Sequence, residues 1–128
     1  MKSPKRILYV EDDQDIQTIV KLAIEAGSGS TVAICSSGAK ALELVPAFQP
    51  DLILLDAMLP GMDGITILQQ LRELPATKDV AVIFLTAKAQ PSEIARFKDA
   101  GALGVITKPF DPLTLPHEIE RLWEQRNG

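Results

Sequence analysis

Leu52-Ile53-Leu54-Leu55-Asp56, running on into Ala57-Met58-Leu59-Pro60-Gly61-Met62-Asp63-Gly64, carries the strongest signal of architecture in this chain. Four consecutive apolar residues, with Pro50 before them and a Pro/Gly turn after, read as a strand buried on both faces. Strands of that kind belong to parallel sheets covered by helices on each side. An aspartate closing such a strand stands at the carboxyl edge of the sheet, where open α/β proteins place their ligands.

The same form recurs on either side. The apolar run 7–10 ends in Glu11-Asp12-Asp13, the run 80–85 ends in Thr86, and the run 105–107 leads into Lys108-Pro109-Phe110. A further strand, 31–35, carries the β-branched residues Thr31, Val32 and Ile34 and closes on Cys35. Helical periodicity fills the gaps. Over 15–26, Ile16, Ile19, Val20, Ala23 and Ile24 fall on one face, and Gly27-Ser28-Gly29-Ser30 is expected to end that helix. Ser36-Ser37-Gly38 opens a second helix with Leu42, Val45 and Phe48 on one side, stopped by Gln49-Pro50. Further helices are predicted over 65–74 and 92–100. The last starts near Thr114, because Pro116 is tolerated only in a first turn. It carries Leu115, Ile119, Leu122 and Trp123. Five β-then-α units in one chain read as α/β, a doubly wound five-stranded parallel sheet with five helices. If the strands are neighbours, three carboxylates, a hydroxyl and an ammonium converge on one crevice, a set suited to a divalent cation and a phosphoryl group.

A length of 128 residues fits one domain, 1–128, and Gly128 follows soon after the last helix, so no output domain is expected. The net charge of -4 argues against direct nucleic-acid binding, which usually shows a basic face. The one cysteine, Cys35, excludes an internal disulfide and reads as a small buried thiol in a reducing compartment. Lys2, Lys5 and Arg6 precede too short an apolar run for a signal peptide, and no segment approaches the ~20 apolar residues of a membrane span. The expected location is cytoplasmic.

Read singly, Asp56 suits a turn cap, Thr86 the end of a strand and Lys108 an exposed surface. Occurring in order, each at the end of its own strand, Glu11-Asp12, Asp56 with its Pro60/Gly64 loop, Thr86-Ala87 and Lys108-Pro109-Phe110 make a specific set. With it the chain resembles the receiver domain of two-component response regulators over essentially its whole length. The resemblance implies a flavodoxin-like, CheY-like sheet of order 2-1-3-4-5. It implies Asp56 as phosphoacceptor and Mg2+ (or Mn2+) ligated by Asp12, Asp56 and the Met58 backbone carbonyl, with Glu11 acting mostly through water. Thr86 would bond a phosphoryl oxygen, Lys108 would neutralise its charge, and the Lys108–Pro109 peptide would be cis. Asp13 is read as the cap of the first helix.

The implied partners are a sensor histidine kinase or histidine phosphotransfer protein and an unidentified downstream protein. The output would be a protein contact rather than turnover, by a monomer or weak dimer. Alternatives are a receiver fragment of a hybrid kinase or larger regulator, and a phosphorylation-independent interaction module. A third, an aspartate-nucleophile phosphatase, would need a second aspartate two residues after the first, where Met58 stands. One position departs from the usual receiver, and a variable pair, Met58 and Lys88, also bears on its chemistry. Val105 replaces the aromatic residue expected three places before Lys108, and a stiff valine implies muted signalling on that face. Met58 cannot orient water and charged Lys88 cannot act as a base, which predicts a long-lived phosphoryl-aspartate. His117 reads as a surface helix residue, and Trp123 as packing against the sheet or the preceding helix.

Overall fold

Strand β1 (Arg6–Val10) pairs in parallel with β2 (Thr31–Cys35) on one side and β3 (Leu52–Asp56) on the other. β4 (Ala81–Thr86) continues from β3, and β5 (Gly104–Thr107) forms the far edge, giving the order β2-β1-β3-β4-β5. This computed structural model describes residues 3–127; Met1, Lys2 and Gly128 lie outside the described residues. Helices α1 (Gln14–Ser28), α2 (Gly38–Phe48), α3 (Gly64–Arg72), α4 (Pro91–Asp99) and α5 (Leu115–Glu124) alternate with the strands. The doubly wound architecture read from the sequence is the one observed.

Each strand divides its side chains between two cores. Ile7, Tyr9, Leu52 and Leu54 pack under Val20 and Ile24 of α1 and Leu115, Ile119 and Trp123 of α5. Leu8, Val10, Ile53 and Leu55 face Val45 of α2, Ile67 and Leu71 of α3 and Phe97 of α4. Neighbours alternate across the pleat, and both sides are dry, so every position of β3 is buried. Each buried Leu or Ile contributes about 1.5–3 kcal/mol of burial free energy, so Asp56 stands at the end of a firmly held strand.

Several boundaries differ from the sequence reading. α1 does not stop at Gly27. Asp13 caps its start, accepting from the N–H groups of Asp15 and Ile16 at 2.9 and 3.1 Å. The helix then continues to Ser28, whose hydroxyl bonds the Ile24 carbonyl, and ends where Gly29 turns left-handed at φ 73°. Gly27 is instead a close approach, since a Cβ there would lie 2.6 Å from Pro116 Cγ of α5. α3 ends at Arg72, not 74. The Arg72 guanidinium turns back to bond the carbonyls of Thr77, Val80 and Gly101, and buried Thr77 fills the turn into β4. Between β3 and α3 a two-residue antiparallel ladder, Met58–Leu59 against Met62–Asp63, tightens what reads in sequence as a turn. α5 begins at Leu115 with Pro116 in its first turn, as the missing proline N–H requires. His117 is exposed and Trp123 is buried in the core beneath α1 and α5, both as expected.

Candidate functional site

The carboxyl ends of β1, β3, β4 and β5 bring Glu11, Asp12, Asp56, Thr86 and Lys108 to one crevice. Parallel register puts Val10 beside Leu55 and Thr86 beside Thr107, so the residues that follow emerge side by side. Lys108 leaves β5 through a cis peptide to Pro109. Its ammonium bridges two carboxylates, lying 3.1 Å from Glu11 Oε1 and 3.1 Å from Asp56 Oδ2. The other Asp56 oxygen, Oδ1, accepts the Met58 N–H at 2.9 Å. The carboxylate is thus fixed at both oxygens while remaining only 5% exposed.

Oxygens of Glu11, Asp12 and Asp56 lie within 4.8 Å of one another. Asp12 is exposed at the mouth, whereas Glu11 is only 2% exposed. Three clustered carboxylates form a hard oxygen donor set of the kind that suits Mg2+, which prefers few protein ligands and retained waters. The donor set therefore fits the cation that receiver domains bind in their acidic pocket.

Glu11 is held from several sides. Tyr9 Oη donates to Glu11 Oε1 at 3.0 Å, the Asp13 N–H donates to Oε2 at 3.2 Å, and the Gln17 side chain bonds the Glu11 backbone carbonyl. Burial first, then the Asp56 charge, pushes the Glu11 carboxyl above its usual range; the Asp13 N–H and Lys108 oppose that. Burial works against the Lys108 charge, but Asp56 and Glu11 outweigh it and hold the ammonium above its ordinary value. Tyr9 is pushed up too, by its own burial and then by the Glu11 charge.

Tyr9 and Gln17 were not singled out from sequence. The signal for Tyr9 was present: a phenol in a buried apolar strand, two residues before an acid and so on the same face. Thr86 is buried, and its Oγ1 accepts the Lys88 N–H at 3.0 Å. Beyond it a cavity of about 300 Å3 runs to Phe97 between the Met58 loop and α4, lined also by Lys88 and Arg96. Val105 is half-buried beside that helix, in register with Phe84.

The fold and the acidic crevice are those of a family of phosphoacceptor signalling modules, which are not typical turnover enzymes. Residues 7–120 match the response regulator receiver domain, and the chain belongs to that family. It is 42% identical over 106 residues to the "DNA-binding dual master transcriptional regulator RpaA" of Synechocystis, covering 83% of this chain and 44% of the relative. It is 38% identical to the "DNA-binding response regulator MtrA" of Mycobacterium tuberculosis, covering 87% of this chain and 47% of the relative. The chain thus spans just under half the length of these curated relatives. The chemotaxis response regulator CheY4 of Vibrio cholerae superimposes with a TM-score of 0.85 at 27% identity, over 91% of this chain and 97% of that one. The receiver domain of Francisella response regulator 1452 gives 0.83 at 27% identity, over 94% and 98%. Among the described residues no helix is long and apolar enough to cross a membrane.

Proposed function

We propose that this domain accepts a phosphoryl group on Asp56 from a phosphohistidine of a sensor kinase or phosphotransfer protein, and signals by protein contact. One observation carries the reading: Lys108 stands 3.1 Å from Asp56 Oδ2, at the mouth of an acidic cluster. An Asp56 oxygen attacks phosphorus, a P–O bond forms, the P–N bond breaks, and the departing imidazole takes up a proton. Lys108 stabilises the charge that accumulates on the transferring group, and the Thr86 hydroxyl donates to it once it has arrived. Asp12, Asp56 and the Met58 carbonyl would hold Mg2+, with Glu11 behind them; when bound, the cation neutralises phosphoryl oxygens and orients them.

The surroundings favour a helical donor. Next to Lys108 an apolar groove of about 390 Å3 is lined by Ile16, Ile19, Ala87, Pro109, Phe110 and Pro112. Ile19, which lines this groove, is an exposed apolar residue, as are Leu22 on α1 and Leu113 in the loop between β5 and α5. An amphipathic helix presenting its histidine to Asp56 would cover this groove. With Val105 at the edge of α4, the phosphorylated state would act through backbone and loop shifts rather than ring rotation. The domain itself, with a net charge of -4, would make no direct contact with nucleic acid. Its proposed setting is the cytoplasm, in keeping with the free, buried Cys35.

The test is intact-mass analysis after incubation with acetyl phosphate, with and without Mg2+. We expect a gain of about 80 Da that needs the cation and is lost in Asp56→Ala. No gain in the parent, under conditions shown to trap a short-lived adduct, would favour a phosphorylation-independent interaction module. A second reading, the receiver portion of a larger regulator, is favoured by the length of the curated relatives. The mass of the protein isolated from its source, 13.9 kDa against something larger, separates the two.

A further inference from the structure

Tyr9 is the one phenol of the chain and lies wholly inside it, at 0% exposure, yet its hydroxyl is not spent on the core. It donates to Glu11 Oε1, the same oxygen that accepts the Lys108 ammonium. Lys108 in turn divides itself between Glu11 and Asp56 at equal distances of 3.1 Å. We infer that Tyr9 is a positioning residue for phosphoryl transfer: by satisfying part of the buried Glu11 charge, its hydroxyl leaves Lys108 free to serve Asp56 and the group arriving there. This inference rests on the proposed function and names a device within it.

The argument is one of competition. A buried carboxylate must be compensated by donors, and an uncompensated one draws strongly on the nearest cation. Glu11 has three donors: the Tyr9 hydroxyl, the Asp13 N–H and Lys108. The first two are fixed by β1 and by the cap of α1, and only Lys108 is on a mobile stem. Removing the Tyr9 hydroxyl therefore shifts the demand of Oε1 onto Lys108 and pulls the ammonium toward Glu11. The strand alternation explains why a tyrosine can do this. Residue 9 shares a face with residue 11, its ring fills the core under α1 and α5, and its hydroxyl reaches the crevice. A phenylalanine would fill that core equally well, so packing alone does not account for the hydroxyl.

The experiment follows phosphorylation of the full chain by acetyl phosphate in saturating Mg2+, by intact mass, for the parent, Tyr9→Phe, Glu11→Gln and the double variant. Mg2+ affinity is measured alongside by calorimetry. In Tyr9→Phe the maximal rate should fall roughly fivefold, the rate equivalent of one ordinary net hydrogen bond, with Mg2+ affinity changed less than about twofold. In the Glu11→Gln background the same change should have no further effect, because a neutral amide does not hold the ammonium. A Tyr9→Phe rate equal to the parent's would overturn the inference. So would an equal loss in both backgrounds, which would mark a merely structural effect, and so would loss of the folded circular-dichroism spectrum in Tyr9→Phe. If the parent itself takes no phosphoryl group, the proposed function fails and this inference with it.

Discussion

Replacing Lys108 by methionine isolates the cost of gathering acids at one sheet edge. Methionine keeps most of the stem's volume, so little cavity is left, and the change removes the charge between Glu11 and Asp56. Oxygens of those two residues lie within 4.8 Å of each other, and both residues are nearly inaccessible. At an effective dielectric of about 20 and that separation their repulsion is about 3 kcal/mol, which Lys108 no longer offsets. Full loss of one partner from a buried ion pair costs about 3–5 kcal/mol. Here Lys108 is 22% exposed, Glu11 keeps two donors and Asp56 keeps the Met58 N–H, which places the expected loss at the lower end. About 3 kcal/mol in a domain of this length lowers the melting temperature by about 10 °C.

The assay is thermal and urea unfolding by circular dichroism at pH 7.5 in EDTA and low salt. Lys108 has a folded-state value raised above its ordinary one. Its contribution is therefore fully present below the ordinary lysine value of about 10.4 and is lost only as pH rises through the folded value. The deficit of Lys108→Met should accordingly be constant across neutral pH. It should shrink when millimolar Mg2+ is added, since a divalent cation takes over the neutralisation and stabilises the folded state by mass action. A variant melting within about 2 °C of the parent in EDTA would refute the reasoning, because it would mean that the crevice is too well solvated for its acids to repel.

Three further outcomes are expected. Gly64→Ala should destabilise by about 1–3 kcal/mol in urea titration, because its Cβ would lie 2.7 Å from Phe84 Cε1 and 3.1 Å from Ala57 Cα, both held in place; an unchanged midpoint would show the Asp56 loop to be pliant. Cys35 should react with a thiol-specific disulfide reagent at pH 8 at least about tenfold faster in urea than when folded, since burial pushes the thiol up against a smaller opposing pull from Lys40; equal rates would contradict its burial. Its raised value also means that the associated stability is intact below about pH 8.5 and declines above it. Finally, phosphorylated Met58→Asn and Lys88→Glu should each lose the phosphoryl group several-fold faster than the parent, as groups able to orient or activate water appear beside the path past Asp56; unchanged decay would remove these two side chains as the cause of a long lifetime.

Local patterns in the chain were enough to specify the parallel sheet and the residues that stand at its carboxyl edge. Apolar runs, turn residues and helical spacing are local signals that specify a doubly wound parallel sheet, and the resemblance to receiver domains supplied its strand order. That is why Asp56, Asp12, Thr86 and Lys108 were legible before any coordinate. Element ends were less so: Gly27 reads as a breaker locally but is an inter-helix contact with Pro116, and the end of α3 is set by Arg72 reaching the carbonyl of Gly101. How the charges are shared emerges only on folding. Glu11 meets Lys108 across 97 positions of chain, and Asp56 meets it across 52. Which oxygen each takes, and that Tyr9 stands behind Glu11, depends on register and burial. No local pattern encodes these pairings, because they exist only once distant strands lie side by side in a medium where a charge must find a partner.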